Sequence, residues 1–491
     1  MKTVSEIISD ELKKTKIDSI FMLTGYGAMY LNDAIEKAKI KFYAARNEAA
    51  APMMAEAYSK SSGKIGAVCV TAGPGATNAL PGLAEAYVDS APIIVISGQV
   101  EKEFSSDNYK NIFFRTLGTA EFAITKVVKN ITKYSVTLRK PHDCLYELQK
   151  AIYLCKSGRP GPVWIEIPLD IQAYKIKNIK KLKKFKPPIK RSQKKINLDR
   201  FINLLNKSQR PLFIIGNGIK QSKTSNEFKS LCKKLRIPFL NSRFALDLYP
   251  YSMNENMGLL GIKGSLFGEK LVNKSDLIIS LGCRIAPTLA LGNPKTFLKN
   301  KKSISINNDA DELKNPFYKF NLKINKDLKY FFKEIKKFKK KIKAKNDLWL
   351  KYCKKIKLEN DIPNIHKNTN PIDLYRFMYD IGQISSKKNI LITDAGSNYY
   401  IGGQAWRFER GQVEIASTTN AAMGLSIPLS IGASIASKKQ ILSVTGDGSI
   451  ELNIQELKTI SHYNLNIKTF VINNGGYVSM KKWQDDFFKG N

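Results

Sequence analysis

Hydrophobic runs recur along the chain, and each is bounded by Gly, Pro or Asn. The runs are rich in Val, Ile and Leu, and helical patterns lie between them. Near-continuous apolar strands that alternate with helices are typical of parallel sheets covered on both faces. The clearest runs are IGAVCVTAG, APIIVISGQV, GPVWIEIP, PLFIIGNG, DLIISLG, NILITDAG, QILSVTGDGS and IKTFVINNGG. The pattern predicts an α/β fold of doubly wound parallel sheets.

Two lysine-rich stretches interrupt this pattern. The first runs from Tyr174 to Lys195 and contains two prolines inside a charged run that could not be buried in a core. This composition indicates a linker. The second, from about Lys319 to Lys357, carries apolar residues at helical spacing and predicts a helix docked on the central domain. Binding to a membrane surface is the alternative for this helix. The predicted division is a first domain over 1–175, a basic linker over 176–197, a central domain over 198–345, a linker over 346–369 and a third domain over 370–491.

Composition agrees with several domains and an ordinary cytoplasmic protein. The chain has 491 residues, 43% of them hydrophobic, which suggests about three domains. It contains no run of 18 uncharged apolar residues, and its N-terminus predicts an amphipathic helix, so we expect no membrane partner. The six cysteines are scattered and form no CxxC pair, which favours reduced thiols in the core.

The net charge is the one unusual bulk property. There are 80 Lys and Arg against 42 Asp and Glu, giving a formal charge of +38. Such a charge favours encounter with anions, from phosphorylated cofactors to RNA. The lysines are spread along the chain without a nucleic-acid-binding motif, so we expect no specific nucleic-acid partner. A basic nucleic-acid-binding protein nevertheless stays among the alternative functions.

The most informative segment runs from Gly446 to Asn474. A strand ends in Gly-Asp-Gly, a helix crosses over, and the next strand ends in Asn-Asn, so both turns should emerge at the same sheet edge. The carboxylate of Asp447 and the amide of Asn474 are oxygen ligands that suit Mg2+. Gly446 and Gly448 allow close approach of a diphosphate, and a helix beginning near Ser449 points its amides at it. The structural alternative is a plain turn and loop.

This segment resembles the GDG…NN signature of thiamine diphosphate enzymes, and the chain is similar to the acetolactate synthase (acetohydroxyacid synthase) large-subunit family. Residues 46–100 resemble the family's pyrimidine-binding domain, and residues 158–172 resemble the segment that closes it. The resemblance implies thiamine diphosphate-binding folds in the first and third domains, around a Rossmann-like central domain. Relative to the family, we expect the third domain to be truncated at its C-terminus.

The resemblance also implies site residues. Glu48 is expected to be the cofactor-activating glutamate, and its alanine neighbours favour a dry site. Asp447, Asn474 and the carbonyl of Gly476 are expected to hold the metal ion. The expected cofactor-binding residues are Pro74, Gly75, Asn78, Gly396, Ser397, Asn398, Ala421, Met423, Gly446, Gly448 and Ser449. The expected substrate-pocket residues are Gln404, Met480 and Trp483.

The implied function is thiamine diphosphate- and Mg2+-dependent carboligation of 2-oxo acids. The enzyme would decarboxylate pyruvate or a similar acid and transfer the acyl carbanion to a second carbonyl. Because the family joins the first domain of one chain to the third domain of another, we expect a homodimer or homotetramer with shared sites. The alternatives are a non-ligating 2-oxo acid decarboxylase and a non-catalytic regulatory relative.

Two departures from the family pattern leave questions open. Ala120 stands where the family often has a glutamine, so the acceptor or donor 2-oxo acid stays open. In the central domain, the Gly-Asn-Gly at residues 216–218 lies where some family members hold FAD. Without the rest of a dinucleotide-binding motif it is a weak signal, and it leaves FAD as an alternative cofactor.

Overall fold

The computed structural model describes residues 1–109, 111–188, 196–338, 340–343, 346–417 and 419–489. These residues form three larger sheets and one two-stranded antiparallel pair. Cα packing divides the chain into two compact units. The first unit is Met1–Lys190, Ile390–Gly396 and Ile415–Asn491, and the second is Arg191–Asn389 and Ser397–Glu414. The three sheets of parallel-paired strands confirm the predicted α/β fold.

The first large sheet lies in the N-terminal part of the chain. Its strand order is β3-β2-β4-β5-β7-β6, and every neighbouring pair is parallel. Strands β4 and β5 are buried along their whole length, as expected for a parallel sheet covered on both faces. The elements are β1 (Lys2–Thr3), α1 (Val4–Lys14), β2 (Ser19–Met22), α2 (Met29–Lys37), β3 (Lys41–Ala44), α3 (Ala50–Ser62), β4 (Gly66–Val70), α4 (Pro74–Asn78), α5 (Leu80–Val88), β5 (Ile93–Gln99), α6 (Ile124–Val128), β6 (Tyr134–Thr137), α7 (Cys144–Lys156), β7 (Val163–Pro168), α8 (Leu169–Ala173) and β8 (Lys175–Ile176).

The central sheet also has six parallel strands, in the order β11-β10-β9-β12-β13-β14. Its buried strands are bounded by helices whose apolar residues form the core of this region. The elements are α9 (Asp199–Lys207), β9 (Pro211–Ile215), α10 (Gly218–Gln221), α11 (Ser225–Leu235), β10 (Phe239–Asn241), β11 (Asn256–Leu259), α12 (Gly268–Lys274), β12 (Leu277–Leu281), α13 (Pro294–Phe297), β13 (Lys302–Asn307), β14 (Leu322–Asn325), α14 (Leu328–Ile335), α15 (Asp347–Glu359), α16 (Ile362–Ile365) and α17 (Leu374–Ile384).

The two lysine-rich stretches behave differently from each other. Residues 189–195 of the predicted first linker lie outside the described residues. In the second stretch, the predicted helix is α14, which ends at Ile335 and buries four apolar residues in the central core. Residues 346–369, expected to be a linker, contain α15 and α16. Helix α15 is structured because Trp349 packs in the core and donates its indole N–H to the Pro211 carbonyl at 2.9 Å.

The third sheet has the strand order β16-β15-β17-β18, and β17 pairs in parallel with β15 and β18. The carboxyl ends of β15, β17 and β18 therefore lie at one edge of the sheet. None of the described helices is both long enough and apolar enough to span a bilayer. The elements are β15 (Ile390–Thr393), α18 (Ser397–Ala405), β16 (Val413–Ala416), α19 (Ser426–Ser437), β17 (Ile441–Gly446), α20 (Asp447–Ile450), α21 (Glu456–His462), β18 (Ile467–Ile472) and α22 (Val478–Phe488).

Candidate active site

The Gly-Asp-Gly turn and the Asn-Asn turn are neighbours at the carboxyl edge of the third sheet. Gly446, the last residue of β17, is in register with Ile472, the last residue of β18. Asp447 therefore lies beside the loop that follows β18, although 27 residues separate it from Asn474. The Asn474 amide donates to Asp447 Oδ2 at 3.2 Å. The parallel topology brings the two predicted metal ligands together.

Asp447 is held as a carboxylate by backbone amides. Its Oδ2 also accepts from the Gly476 amide at 2.9 Å, and its Oδ1 accepts from the Gly448 amide at 2.9 Å. Desolvation acts to raise the pKa of Asp447, but these amides, with those of Asn474 and Gly475, outweigh it and lower the pKa. The Asn474 residue is exposed. A charged carboxylate next to a loop that offers the Asn474 side-chain amide and backbone carbonyls has the chemistry of a donor set that fits Mg2+.

The backbone after β18 is unusual and open. Gly475, Gly476 and Tyr477 have φ values of 77°, 75° and 49°, all in the left-handed region. A Cβ built on Gly475 or Gly476 would meet nothing within 4 Å. A Cβ on Gly448 would lie 3.0 Å from the Tyr477 ring, so this ring covers Gly448. A diphosphate that approached Gly448 closely would have to displace the ring.

Asp394 ties three segments of this edge together. Its side chain is 1% exposed and lies just after β15. Oδ1 accepts from the amides of Ala395 at 2.8 Å and Gly424 at 3.0 Å. Oδ2 accepts from the Ser426 amide at 3.1 Å and the Thr445 hydroxyl at 3.0 Å. One buried carboxylate thus positions the end of β17 and the loop before α19.

That loop carries two of the predicted cofactor residues. Ala421 has φ 54°, a conformation that costs a non-glycine residue about 1–3 kcal/mol and is enriched at functional sites. Its amide donates to the Ser417 hydroxyl at 2.8 Å. Met423 is 38% exposed, and Gly424 is fixed by Asp394 and by the Asn453 side chain, which donates to its carbonyl at 2.8 Å. The loop that carries the exposed residues Ala421 and Met423 is therefore anchored at Gly424.

Glu48 occupies the turn between β3 and α3. It is 9% exposed, which agrees with the expected dry environment. The Asn78 side-chain amide donates to Glu48 Oε2 at 3.2 Å. A Cβ on Gly75 would lie 3.3 Å from Glu48 Oε1. The structure therefore brings Glu48 together with Gly75 and Asn78, while Pro74 is exposed at the first position of α4.

Sequence reasoning missed two buried carboxylates near these groups, Asp394 and Glu456. Asp394 carried a usable signal, since it follows a buried strand and precedes a glycine at a sheet edge. Glu456 is 0% exposed and accepts from the Arg46 and Asn47 amides at 2.7 and 3.1 Å. Its partners are about 410 residues away in sequence, so no local pattern indicates them.

Comparison with known proteins identifies the family. Three family models match successive parts of the chain. Residues 2–117 match the N-terminal TPP binding domain of thiamine pyrophosphate enzymes, where TPP is thiamine pyrophosphate, the same molecule as thiamine diphosphate. Residues 198–335 match the central domain, and residues 394–491 match the C-terminal TPP binding domain.

Curated relatives narrow the family. The chain is 31% identical to the acetolactate synthase large subunit of Lactococcus lactis over 99% of this chain and 83% of the relative. It is 31% identical to that of Cyanidium caldarium, over 99% and 84% of the two chains. The chloroplastic acetolactate synthase of Arabidopsis thaliana is 28% identical, over 99% and 72%. The chain belongs to the acetolactate synthase family of thiamine pyrophosphate enzymes.

Several predicted residues of this acetolactate synthase-type chain lie outside the first compact unit. Ser397 and Asn398 begin α18 in the second unit, and Asn398 is 3% exposed. Gln404, also in the second unit, donates its side-chain amide to the Lys263 carbonyl at 3.0 Å. Gly396 ends the preceding segment with φ 83° and has open space where a Cβ would lie.

The two remaining substrate-pocket candidates lie on α22, in the first unit. Met480 and Trp483 are 57% and 56% exposed, and no residue of α22 is buried in the described chain. The Trp483 ring stacks on Phe487 one turn later, with ring centroids 5.2 Å apart. Both candidates thus stand on an exposed aromatic face directly after the Asn474–Gly476 loop.

Ala120, the departure from the acetolactate synthase pattern, lies against the glycine-rich loop of the first domain, which is residues 71–78. It has φ 58°, and its carbonyl oxygen would be 2.2 Å from a Cβ on Gly73. Close backbone contact therefore requires a glycine at position 73. The adjacent Glu121 is 5% exposed and accepts from the Ser106 hydroxyl at 2.8 Å, so it is occupied by a local contact.

The Gly-Asn-Gly turn considered for FAD has a structural explanation. A Cβ on Gly216 would lie 2.3 Å from the Gly282 carbonyl oxygen, and a Cβ on Gly218 would lie 2.6 Å from Gly282 Cα. Both glycines are needed for backbone packing between the turns that follow β9 and β12. They give no separate indication of a dinucleotide.

Proposed function

We propose that this chain catalyses thiamine diphosphate- and Mg2+-dependent carboligation of 2-oxo acids. It would decarboxylate pyruvate or a similar acid and transfer the acyl unit to a second carbonyl. The main support is Glu48, a buried glutamate fixed beside the glycine-rich loop of a thiamine pyrophosphate enzyme. The acetolactate synthase relatives support ligation, as opposed to simple decarboxylation.

Glu48 would act on the aminopyrimidine of the cofactor. When bound, thiamine diphosphate supplies the carbon nucleophile and the electron sink for loss of CO2. Glu48 would exchange a proton with N1′ of the aminopyrimidine. Asn78 orients the carboxylate through Oε2, and the missing side chain of Gly75 leaves room beside Oε1. Burial keeps water away from this proton transfer.

The sheet edge of the third domain would hold the diphosphate and its metal ion. Asp447, Asn474 and the carbonyl of Gly476 would bind Mg2+, which would neutralise negative charge on the diphosphate. The low pKa of Asp447 supports this role, because the ligand must be ionised. The Ala421 carbonyl would accept a hydrogen bond from the amino group of the cofactor, and Met423 would support its rings. The residues that would contact the remaining cofactor surface are Pro74, Gly396, Ser397, Asn398, Gly446, Gly448 and Ser449.

Met480 and Trp483 would contact the substrate, and the family resemblance gives the same role to Gln404. The exposed aromatic face of α22 supports this, because a decarboxylation site needs an apolar cover that excludes water. With Ala120 in place of a polar side chain, the pocket would select its 2-oxo acids mainly by shape. We also propose a cytoplasmic location, supported by six free, buried cysteines.

We propose a homodimer or homotetramer whose sites join Glu48 of one chain to Asp447 of another. Mixing two inactive variants tests this arrangement. If Glu48→Gln and Asp447→Asn chains exchange freely, half of the dimers are mixed and each mixed dimer has one intact site, so about a quarter of wild-type activity returns. Sites formed within single chains would return no activity, and an active monomer on gel filtration would also contradict the proposal.

Product analysis tests the reaction itself. The purified chain is incubated with pyruvate, thiamine diphosphate and Mg2+, and the products are separated. We expect acetolactate, the ligated product. Acetaldehyde without acetolactate would replace the proposal by a non-ligating decarboxylase. Calorimetry that detected no thiamine diphosphate binding would instead indicate a non-catalytic relative.

A further inference from the structure

The loop that carries Glu48 is held by a side chain from the third family domain of the same chain. Glu456, the first residue of α21, follows Asp447 by nine residues (456 − 447). Its Oε1 accepts from the Arg46 amide at 2.7 Å and from the Asn47 amide at 3.1 Å. Its Oε2 accepts from the Thr459 hydroxyl at 2.7 Å, which fixes the carboxylate on its own helix.

The two amides that Glu456 binds come directly before Glu48. The next residues are fixed locally, because the Asn47 side-chain oxygen accepts from the Ala49 amide at 2.8 Å. The backbone on the N-terminal side of Glu48 therefore has few ways to move without breaking contacts with Glu456. The carboxylate of Glu48 is held separately, by the side-chain amide of Asn78.

A second anchor comes from the opposite end of α21. The Ala44 amide, at the end of β3, donates to the Tyr463 hydroxyl oxygen at 2.8 Å. The Tyr463 ring also packs edge-on against Tyr43, with ring centroids 5.2 Å apart. The segment from β3 to Glu48 is thus attached at both ends of α21, by Glu456 at its start and by Tyr463 directly after its end.

Because Glu456 is buried, water cannot easily take its place as the acceptor for the two amides. The residue is 0% exposed, and desolvation raises its pKa although Thr459, Arg46 and Asn47 all donate to it. A buried acceptor that serves two backbone amides cannot be replaced by water without rearrangement of the loop. An amide oxygen at the same place could still accept both N–H groups, whereas a methyl group could not.

We propose that Glu456, assisted by Tyr463, is a positioning residue that sets the place of Glu48 relative to the cofactor. This inference rests on the proposed function, because it assumes that Glu48 acts on thiamine diphosphate. Displacement of a catalytic group by about 1 Å can cost about 100-fold in rate. The anchors do not touch the metal ligands, so loss of either anchor should affect proton transfer by Glu48 and leave cofactor affinity unchanged.

The test compares Glu456→Ala, Glu456→Gln and Tyr463→Phe in the full chain. The first readout is deuterium exchange at C2 of bound thiamine diphosphate, measured by NMR with saturating cofactor and Mg2+. We expect exchange to slow by about 10- to 100-fold in Glu456→Ala, by a smaller factor in Tyr463→Phe, and by less than about threefold in Glu456→Gln. Calorimetric Kd for thiamine diphosphate should stay within about twofold in all three.

The second readout needs no cofactor. Backbone hydrogen exchange of residues 44–49, measured by mass spectrometry in the free protein, should accelerate in Glu456→Ala and return to the wild-type rate in Glu456→Gln. Tyr58→Phe is the matched control for Tyr463→Phe, because it removes a hydroxyl that donates to Asp18 at 2.7 Å, outside the Glu48 loop. We expect the control to change neither exchange rate. If Glu456→Ala does not fold, Tyr463→Phe carries the test.

The outcomes separate this inference from the proposed function. If wild-type protein binds no thiamine diphosphate, or if Glu48→Gln exchanges C2 at the wild-type rate, the proposed function fails. If these controls behave as proposed but Glu456→Ala and Tyr463→Phe keep wild-type C2 exchange, the positioning role is refuted. A parallel loss of cofactor affinity and C2 exchange in Glu456→Ala, without recovery in Glu456→Gln, would also refute it.

Discussion

Substitution of Asp394 by Asn should destabilise the edge of the third sheet on which the proposed metal site lies. The native carboxylate accepts four hydrogen bonds, two at each oxygen. An asparagine has the same shape but places an NH2 group at one of the two positions. At Oδ1 the partners are two backbone amides, which can only donate, so the NH2 group should take the Oδ2 position.

The expected loss of unfolding free energy follows from the hydrogen-bond donors that asparagine leaves without an acceptor. At the Oδ2 position the Thr445 hydroxyl can rotate and accept, but the Ser426 amide loses its acceptor. A buried N–H without a partner costs about 1–3 kcal/mol. The two bonds at Oδ1 change from charged to neutral, and each loses about 1 kcal/mol. The expected loss of unfolding free energy is therefore about 3–5 kcal/mol.

Urea unfolding followed by circular dichroism, with hydrogen exchange of residues 420–426 as a local probe, measures this loss. Local exchange is needed because a chain with two compact units need not unfold in one step. The control is Asp311→Asn, whose side chain is 87% exposed and pairs only with Lys314 among the described contacts, and which should cost less than about 0.5 kcal/mol. If Asp394→Asn loses no more unfolding free energy than the control, the four hydrogen bonds of Asp394 do not stabilise this edge of the sheet.

Two further substitutions test separate parts of the account. Gly75→Ala places a Cβ 2.6 Å from Thr71 Cγ2 and 3.3 Å from Glu48 Oε1, so kcat should fall at least about tenfold. In the double variant Gly75→Ala/Thr71→Ser, only the contact with Thr71 is relieved. Full recovery of kcat in that variant would contradict the view that the new Cβ acts by crowding Glu48. Burial raises the pKa of Glu166 to about 8, although the Thr137 hydroxyl and the Gln99 side-chain amide donate to its carboxylate. The folded state therefore binds an extra proton between pH 4.5 and 8 and loses stability as the pH rises from about 4.5 through 8. Glu166→Gln should therefore be nearly neutral at pH 5 and stabilising at pH 9 in thermal unfolding, and an equal effect at both pH values would contradict this.

The hydrophobic pattern predicted the sheets because buried parallel strands are apolar on both faces. Runs such as those of β4, β5 and β12 are buried over their whole length. The meeting of Asp447 with the Asn474 loop was also predictable, since consecutive parallel strands end at the same edge. Those predictions depend on local periodicity and topology, which the sequence displays directly.

Other features depend on contacts between distant segments. Residues 346–369, which contain α15, were expected to be a linker, and the burial of Trp349 of α15 against the central core is a tertiary effect. The covering of Gly448 by Tyr477 requires a left-handed conformation at a tyrosine, which residue type alone would disfavour. The anchoring of the Glu48 loop by Glu456 joins residues about 410 positions apart.

Turnover of pyruvate by Glu48→Gln protein, compared with wild type at saturating thiamine diphosphate and Mg2+, tests whether Glu48 activates the cofactor. Glutamine keeps the size of the side chain and can still accept from Asn78, but it cannot exchange a proton. We predict a loss of kcat of at least about 100-fold with unchanged cofactor affinity. Wild-type turnover in Glu48→Gln would contradict the assignment of this glutamate and the mechanism built on it.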